Sequence, residues 1–232
     1  MIKSLCKLVV ATAITFIFST ANLTAFAATE TYPLDSIDNL TLSKVVAEPN
    51  TYKGIDSVAM QLEPGEPGSD INTVAVVEGT NFHNGTIEVD LVGAIAPDAP
   101  FFARGFVGIA FRIDDEISQF ESIYLRPGNS HAEDPVSRSH SVQYFSFPDY
   151  SFEVLRAESP DIYESYADLE VGEWMHMLIE VDGEEAFLYV NYATEPTLIV
   201  NDLKLGADAE GAVGLWTDAG TEAYFANLKI TD

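Results

Sequence analysis

Twelve short runs of alternating or β-branched residues, each closed by a turn signal, constrain this chain more than any other feature. They read "LTLSKVVA", "DSVAMQL", "TVAVVE", "GTIEVDLVG", "FVGIAFRID", "SIYLRP", "HSVQYFSF", "WMHMLIEVDG", "AFLYVNY", "TLIVND", "AVGLWTD" and "AYFANLKI". Side chains alternate across a strand with a period of two, so such runs build sheets with two distinct faces. Almost no stretch carries the helical period. The breaks between runs are chemically apt: "PGEPGSD" after Gln61, "APDAP" before Phe101, "RPGN" after Leu125, and "VDGEEA" as a hairpin. The pattern predicts an all-β fold, a two-sheet sandwich. "DLKLG" is expected to add one helical turn. No internal repeat and no interdomain linker interrupts the series.

The first residues, "MIKSLCKLVVATAITFIFSTANLTAFA", carry Lys3 and Lys7, then an apolar core, then Ala25-Phe26-Ala27. That order is the mark of a secretory signal peptide, and the uninterrupted apolar stretch falls short of the roughly 20 residues of a membrane span. The expectation is a signal over residues 1–27 and one sandwich domain over 28–232, secreted or periplasmic. Cys6 falls within the signal, so the exported domain has no thiol and stands on its core. No later segment is apolar enough to cross a membrane.

Charge narrows the partners. Without Lys3 and Lys7, nine basic residues face 37 acidic ones, a formal −28. Such a surface repels nucleic acid and anionic lipid. No D-x-[DN]-x-[DN]-G loop appears, so no cofactor is implied, although a structural calcium ion stays open. The five arginines (Arg104, Arg112, Arg126, Arg138 and Arg156) all fall within residues 104–156, where no lysine lies. Arginine suits bidentate recognition of anionic groups, so this confinement points to a local positive site. The plainer reading is that each arginine pairs with one of the many carboxylates. Two polar stretches, Pro127–Ser139 and Arg156–Glu173, read as long surface loops, where binding residues tend to sit. Tyr150, Tyr163 and Tyr166 are there to stack on sugars or to pack on the rim.

From about Phe82 to the C-terminus, the segments "FVGIAFRIDD", "SIYLRPGN", "HSVQYFSFP", "YESYADLEVGEWMHMLIEVDGEEAFLYVN", "PTLIVNDLKLGADAEGAVGLW" and "AYFANLKI" carry a recognisable order. In that order and spacing the chain resembles the laminin-G/pentraxin-like branch of the concanavalin A-like lectin and glucanase superfamily, and in particular its exported bacterial members. The resemblance implies a jelly-roll sandwich. It leaves activity open, since lectins, glycoside hydrolases and adhesion domains share that fold.

Glucanases of that superfamily carry E-x-D-x-x-E on one strand face. Here "EVDLVG" supplies Glu88 and Asp90 but places Gly93 at the last position. Retaining hydrolysis needs two carboxyls about 5 Å apart, one of them protonated. The strand therefore reads as structural, with Ile87, Val89 and Leu91 in the core and the carboxylates in water. His83, His131, His140 and His176 form no ligand spacing for zinc. Neither a nucleophile elbow nor a phosphate loop is present.

What remains is a polar set on strands. Arg112 should share a face with Gly108 and Ala110, small neighbours that leave room for a ligand. Tyr124 and Arg126 should share another. With Gln143, Tyr144 and Trp174 they are the candidate ligand-binding residues, expected to line one concave face; catalytic and metal-binding residues are not assigned. Aromatic rings stack on sugars, while arginine and glutamine bind hydroxyls or carboxylates. Trp216 reads as an inter-sheet core residue. The leading expectation is a non-catalytic, carbohydrate-binding, lectin-like domain for an anionic or neutral glycan. A polysaccharide-degrading enzyme is the alternative: a glycoside hydrolase, or a uronate lyase with Tyr144 or Tyr124 as base or acid and His140 assisting. The "YFKAG"-type lyase motif is absent. An adhesion or scaffold domain is the third reading.

Overall fold

The computed structural model describes residues 28–232, so the expected signal peptide lies outside the described residues. The chain runs through β1 (Thr29–Tyr32), β2 (Leu40–Ser43), β3 (Val45–Tyr52), β4 (Ile55–Leu62), β5 (Val74–Phe82), β6 (Gly85–Ile95), β7 (Val107–Ile113) and β8 (Phe120–Leu125). Two short helices, α1 (Pro127–Ser130) and α2 (Pro135–Ser139), lead to β9 (Val142–Phe147), then α3 (Phe152–Glu158) and β10 (Glu164–Ser165). The remainder is β11 (Met175–Asp182), β12 (Glu185–Val190), β13 (Leu198–Val200), β14 (Gly211–Thr217) and β15 (Thr221–Thr231).

Two antiparallel sheets form a jelly-roll sandwich. One has the order β13-β12-β11-β6-β15-β4-β3, with β1 also paired to β15; the other has β10-β9-β8-β7-β14-β5-β2. All twelve sequence runs lie in strands. "LTLSKVVA" serves both sheets, because Lys44, at φ 56°, turns the chain between β2 and β3. The helices are the departure from expectation. "PGNS", "PVSRS" and "FEVLRAE" each coil into a turn or two, while "DLKLG" makes only turns. A proline at the first helical position starts α1 and α2, and the Asp134 carboxylate accepts from the N–H groups of Val136 and Ser137 to cap α2. Pro127–Ser139 is thus not simply a surface loop: Pro127, Asn129 and Ser130 are buried.

The core lies between the sheets. On β6, Ile87, Val89 and Leu91 are all 0% exposed. Burying each such side chain contributes about 1.5–3 kcal/mol. β7 and β8 are buried on both faces, since their outer face is roofed rather than solvated. By register, Gly108, Tyr124, Gln143 and Trp216 share that outer face. Trp216 donates through Nε1 to the Ile71 carbonyl at 3.0 Å, so the segment after β4 closes over it. Trp216 is buried as expected, but under this roof rather than between the sheets.

Candidate functional site

A cavity of about 400 Å³ opens beside the roofed face, at the end of β8. Small-molecule sites commonly enclose about 300–1,000 Å³. Its walls include Arg104, Arg126 and Arg156, the carboxylates Asp70, Glu153 and Asp218, the rings of Phe102, Phe106, Tyr124 and Phe152, and Asn129 and His140. Three of the five arginines therefore converge here. An equal number of carboxylates joins them, so the walls are charge-balanced rather than positive.

Local sequence builds each wall. Gly68, Ser69 and Asp70 lie consecutively at φ 73°, 81° and 52°. Left-handed backbone is costly for serine and aspartate and persists only where surroundings enforce it. Asp218 does so: its carboxylate accepts from the N–H groups of Ser69 at 2.9 Å, Asp70 at 3.2 Å and Ala219 at 2.6 Å. A Cβ on Gly68 would sit 2.0 Å from Asp218 Oδ1, so only glycine fits that approach. Asp70 is 4% exposed. Its Oδ2 accepts from the Phe152 N–H at 2.5 Å, while Oδ1 is buried without a partner. Burial pushes the Asp70 carboxyl up to about 6, against the opposing Arg126 charge and hydrogen bonding from the Phe152 N–H and the Tyr124 hydroxyl.

Arg126 forms the floor. It donates to Tyr124 Oη at 2.5 Å and to Glu164 Oε1 at 3.0 Å. Arg156 forks onto the same carboxylate, with Nε 2.8 Å from Glu164 Oε2 and Nη2 on Oε1. Both guanidinium groups lie 5.1 Å from the Phe152 ring centroid, a cation–π distance. Burial alone would raise the Glu164 carboxyl, but the Arg156 hydrogen bonds and the two arginine charges hold it below its ordinary value. Burial also pushes the Tyr124 phenol well up and draws the His140 imidazole down, in spite of Glu164 beside it. A phenol so raised is a poor base at neutral pH.

Of the six sequence candidates, Tyr124 and Arg126 line the cavity and the other four do not. Arg112 does not share a face with Gly108 and Ala110. It sits at φ 55°, where the β7–β14 register shifts, and the bulge redirects its side chain. Its guanidinium donates to the carbonyls of Gly183 at 2.8 Å, His83 at 2.9 Å and Gly206 at 3.0 Å, strapping three turns. The room expected beside Gly108 is taken by the chain itself, since a Cβ there would lie 2.5 Å from Tyr124 Cβ. Gln143 is fully buried and donates to the Tyr144 and Tyr163 carbonyls. Tyr144 faces the opposite way, donating to Glu121 Oε2 at 2.6 Å. Trp174 belongs to neither group, because its Nε1 donates to the Tyr52 carbonyl at the end of β3, in the other sheet. Of the loop tyrosines, Tyr163 is buried and Tyr166 is exposed. Arg138 donates to the Ala132 and Glu133 carbonyls.

Glu88 and Asp90 lie on the outer side of the eight-stranded sheet. His176 Nδ1 is 2.9 Å from Asp90 Oδ1, and Lys229 Nζ is 3.6 Å from Glu88 Oε2. A third carboxylate has no room at position 93, where a Cβ would meet the Gly105 carbonyl oxygen at 2.0 Å. Among the described residues no cluster of ligating side chains fits a metal ion, and no helix is long and apolar enough to cross a membrane.

Neither a protein-family model nor a curated protein matches the sequence. Solved structures match the fold. A carbohydrate-binding module, CBM66, from Bacillus subtilis superposes with a TM-score of 0.53 at 15% identity, covering 82% of this chain and 97% of the module. A Bacillus subtilis protein of unknown function with a galectin-like fold gives 0.55 at 11% identity, over 87% and 94%. A putative glycosyl hydrolase from Parabacteroides distasonis gives 0.49 at 14% identity, over 87% and 98%. With its two antiparallel sheets, the likeness to the first two of these shows the fold to be a galectin-like jelly-roll sandwich.

Proposed function

We propose that this chain is an exported, lectin-like β-sandwich domain of the concanavalin A-like type that binds a neutral glycan in the Arg126 cavity. The observation that carries the reading is Asp70 Oδ1, a buried acceptor without a partner in the wall of that cavity. Leaving a buried polar atom unpaired costs about 1–3 kcal/mol, so such atoms need a reason. A sugar hydroxyl donating to Oδ1 supplies one. Asn129 and the outer nitrogens of Arg104 and Arg156 offer further polar contacts, and Phe152 offers a ring. Balanced charge favours hydroxyls over a uronate or sulfate. The fold shared with a carbohydrate-binding module supports the same conclusion.

Calorimetry with neutral hexoses and pentoses, beside glucuronate and galacturonate, tests it. A neutral sugar should bind, and Asp70→Asn should weaken it about tenfold or more, since a hydrogen bond to a charged group contributes about 1.5–3 kcal/mol. Preference for the uronates, or equal binding by the variant, would reject this reading.

One observation favours an enzymatic reading: a carboxyl with a pKa of about 6 suits a general acid. The Asp218 carboxylate is occupied by backbone N–H groups, so Glu153, also in the cavity wall, would have to serve as the second carboxylate. Release of reducing ends from a polysaccharide panel, abolished in Asp70→Asn, would decide for the enzyme.

A further inference from the structure

Phe101 is 94% exposed, the most exposed large apolar side chain among the described residues. A lone exposed apolar residue needs no explanation. Phe101 is not alone, and it is not loose. Its ring meets that of Phe102 edge to face, with centroids 5.6 Å apart, and Phe102 forms part of the cavity wall. The backbone beneath is fixed. Pro97 and Pro100 bracket the tip, Ala103 N–H donates to the Pro100 carbonyl at 2.9 Å, and Ala96 N–H donates to the Gly220 carbonyl at 3.0 Å. Gly220 packs so tightly that a Cβ would lie 2.7 Å from Pro100 and 2.8 Å from Ala103. Arg104 then ties the tip to the cavity, because its Nη1 donates to the Phe101 carbonyl at 2.9 Å while its Nε donates to Asn129 at 2.9 Å.

We infer that the Phe101–Phe102 edge is a second sugar subsite, stacking the next residue of a neutral glycan chain whose first residue occupies the cavity. This rests on the glycan reading above and adds that the ligand is an oligosaccharide. An exposed ring on an ordered backbone beside a polar pocket is suited to the C–H face of a pyranose or furanose. Because its backbone is already ordered, little entropy is lost when a chain lands on it. Phe101 itself does not line the cavity, whereas Phe102 does. The subsite therefore reads chain length.

The test is a calorimetric series of mono-, di- and trisaccharides of glucose, xylose, arabinose and fructose, on the wild-type protein, Phe101→Ala and Phe101→Trp. The wild type should bind a di- or trisaccharide about tenfold more tightly than the matching monosaccharide. Phe101→Ala should erase that gain and leave monosaccharide binding and the melting temperature unchanged, while Phe101→Trp should keep it. A gain that survives in Phe101→Ala overturns the subsite but leaves the cavity. Loss of self-association in Phe101→Ala, with no change in sugar binding, assigns the ring to a protein contact and also overturns it. If no sugar binds the wild type, the glycan reading fails, and the subsite with it.

Discussion

The N–H of Phe152 donates to one oxygen of Asp70 at 2.5 Å, while the other oxygen of that carboxyl stays buried and unpaired. That short bond orients the acid beside the Tyr124 hydroxyl, and the second oxygen is the acceptor that the proposed glycan would use.

That arrangement has a pH signature. The folded Asp70 carboxyl, pushed up by burial from 3.8 to about 6, holds its proton more tightly than the unfolded chain does. Its contribution to stability is full below about pH 4 and is lost as pH rises through 6, a difference on the order of 3 kcal/mol. Glu164 works in the opposite sense. Its lowered carboxyl contributes above its ordinary value of 4.5, and that is lost on acidification through the lower folded value. The joint contribution of these two carboxyls is therefore greatest between about pH 4 and 4.5, and thermal melting of the wild type should lose, between about pH 4 and 6, a stability increment that Asp70→Asn lacks. Asp70→Asn should melt higher than the wild type at pH 7 while binding sugar less well. A lower melting temperature for Asp70→Asn at pH 7 would contradict this assignment.

Arg126 and Arg156 should separate. Arg126 is 5% exposed and shares Glu164 and Tyr124, so Arg126→Ala leaves a buried carboxylate short of a partner and should cost about 3–5 kcal/mol. Arg156 has a half-open side chain at the cavity wall. Arg156→Ala should cost less in a denaturant melt and still weaken sugar binding. Equal stability losses in the two variants would put both in the floor.

Arg112 belongs to the frame. Arg112→Ala leaves the carbonyls of His83, Gly183 and Gly206 without their donor and should destabilise by about 3 kcal/mol or more. Lysine should not rescue it, because one point charge cannot span three carbonyls. Sugar affinity, measured on the folded fraction, should not change.

Glu88→Gln should be nearly silent. The carboxylate is partly exposed and 3.6 Å from an exposed Lys229, and such pairs contribute about 0–1 kcal/mol. A glycosidase activity lost in Glu88→Gln would restore the strand as a catalytic one.

The strands were legible because alternating or β-branched runs closed by turn signals mark them, although β7 and β8 are buried on both faces and show no two-residue burial period. The arginine confinement was legible only in part: Arg104, Arg126 and Arg156 meet, but Arg112 and Arg138 bind carbonyls elsewhere and carboxylates balance the charge that was expected to be positive. What one-dimensional alternation cannot show is a bulge, and the positive φ at Arg112 reversed its direction. Nor does it show a roof: the space over Gly108 looked open until Tyr124 and the Ile71 segment filled it. Asp70 and Asp218 lie about 150 positions apart, and each sits in a turn, "PGSD" and "WTDAG", that reads merely as a break. An aspartate among glycines at two such turns was the one available signal, and alone it says only that the backbone bends.

The most direct test of the central claim is a ¹H–¹⁵N correlation spectrum titrated with the neutral mono- and trisaccharide panel. The account predicts that the amides of Ser69, Asp70, Asn129 and Phe152 shift together with one saturating curve. The amides of His176 and Tyr192, on the outer face of the other sheet, should stay still. Shifts confined to the His176 side, or none at any sugar concentration, would contradict it.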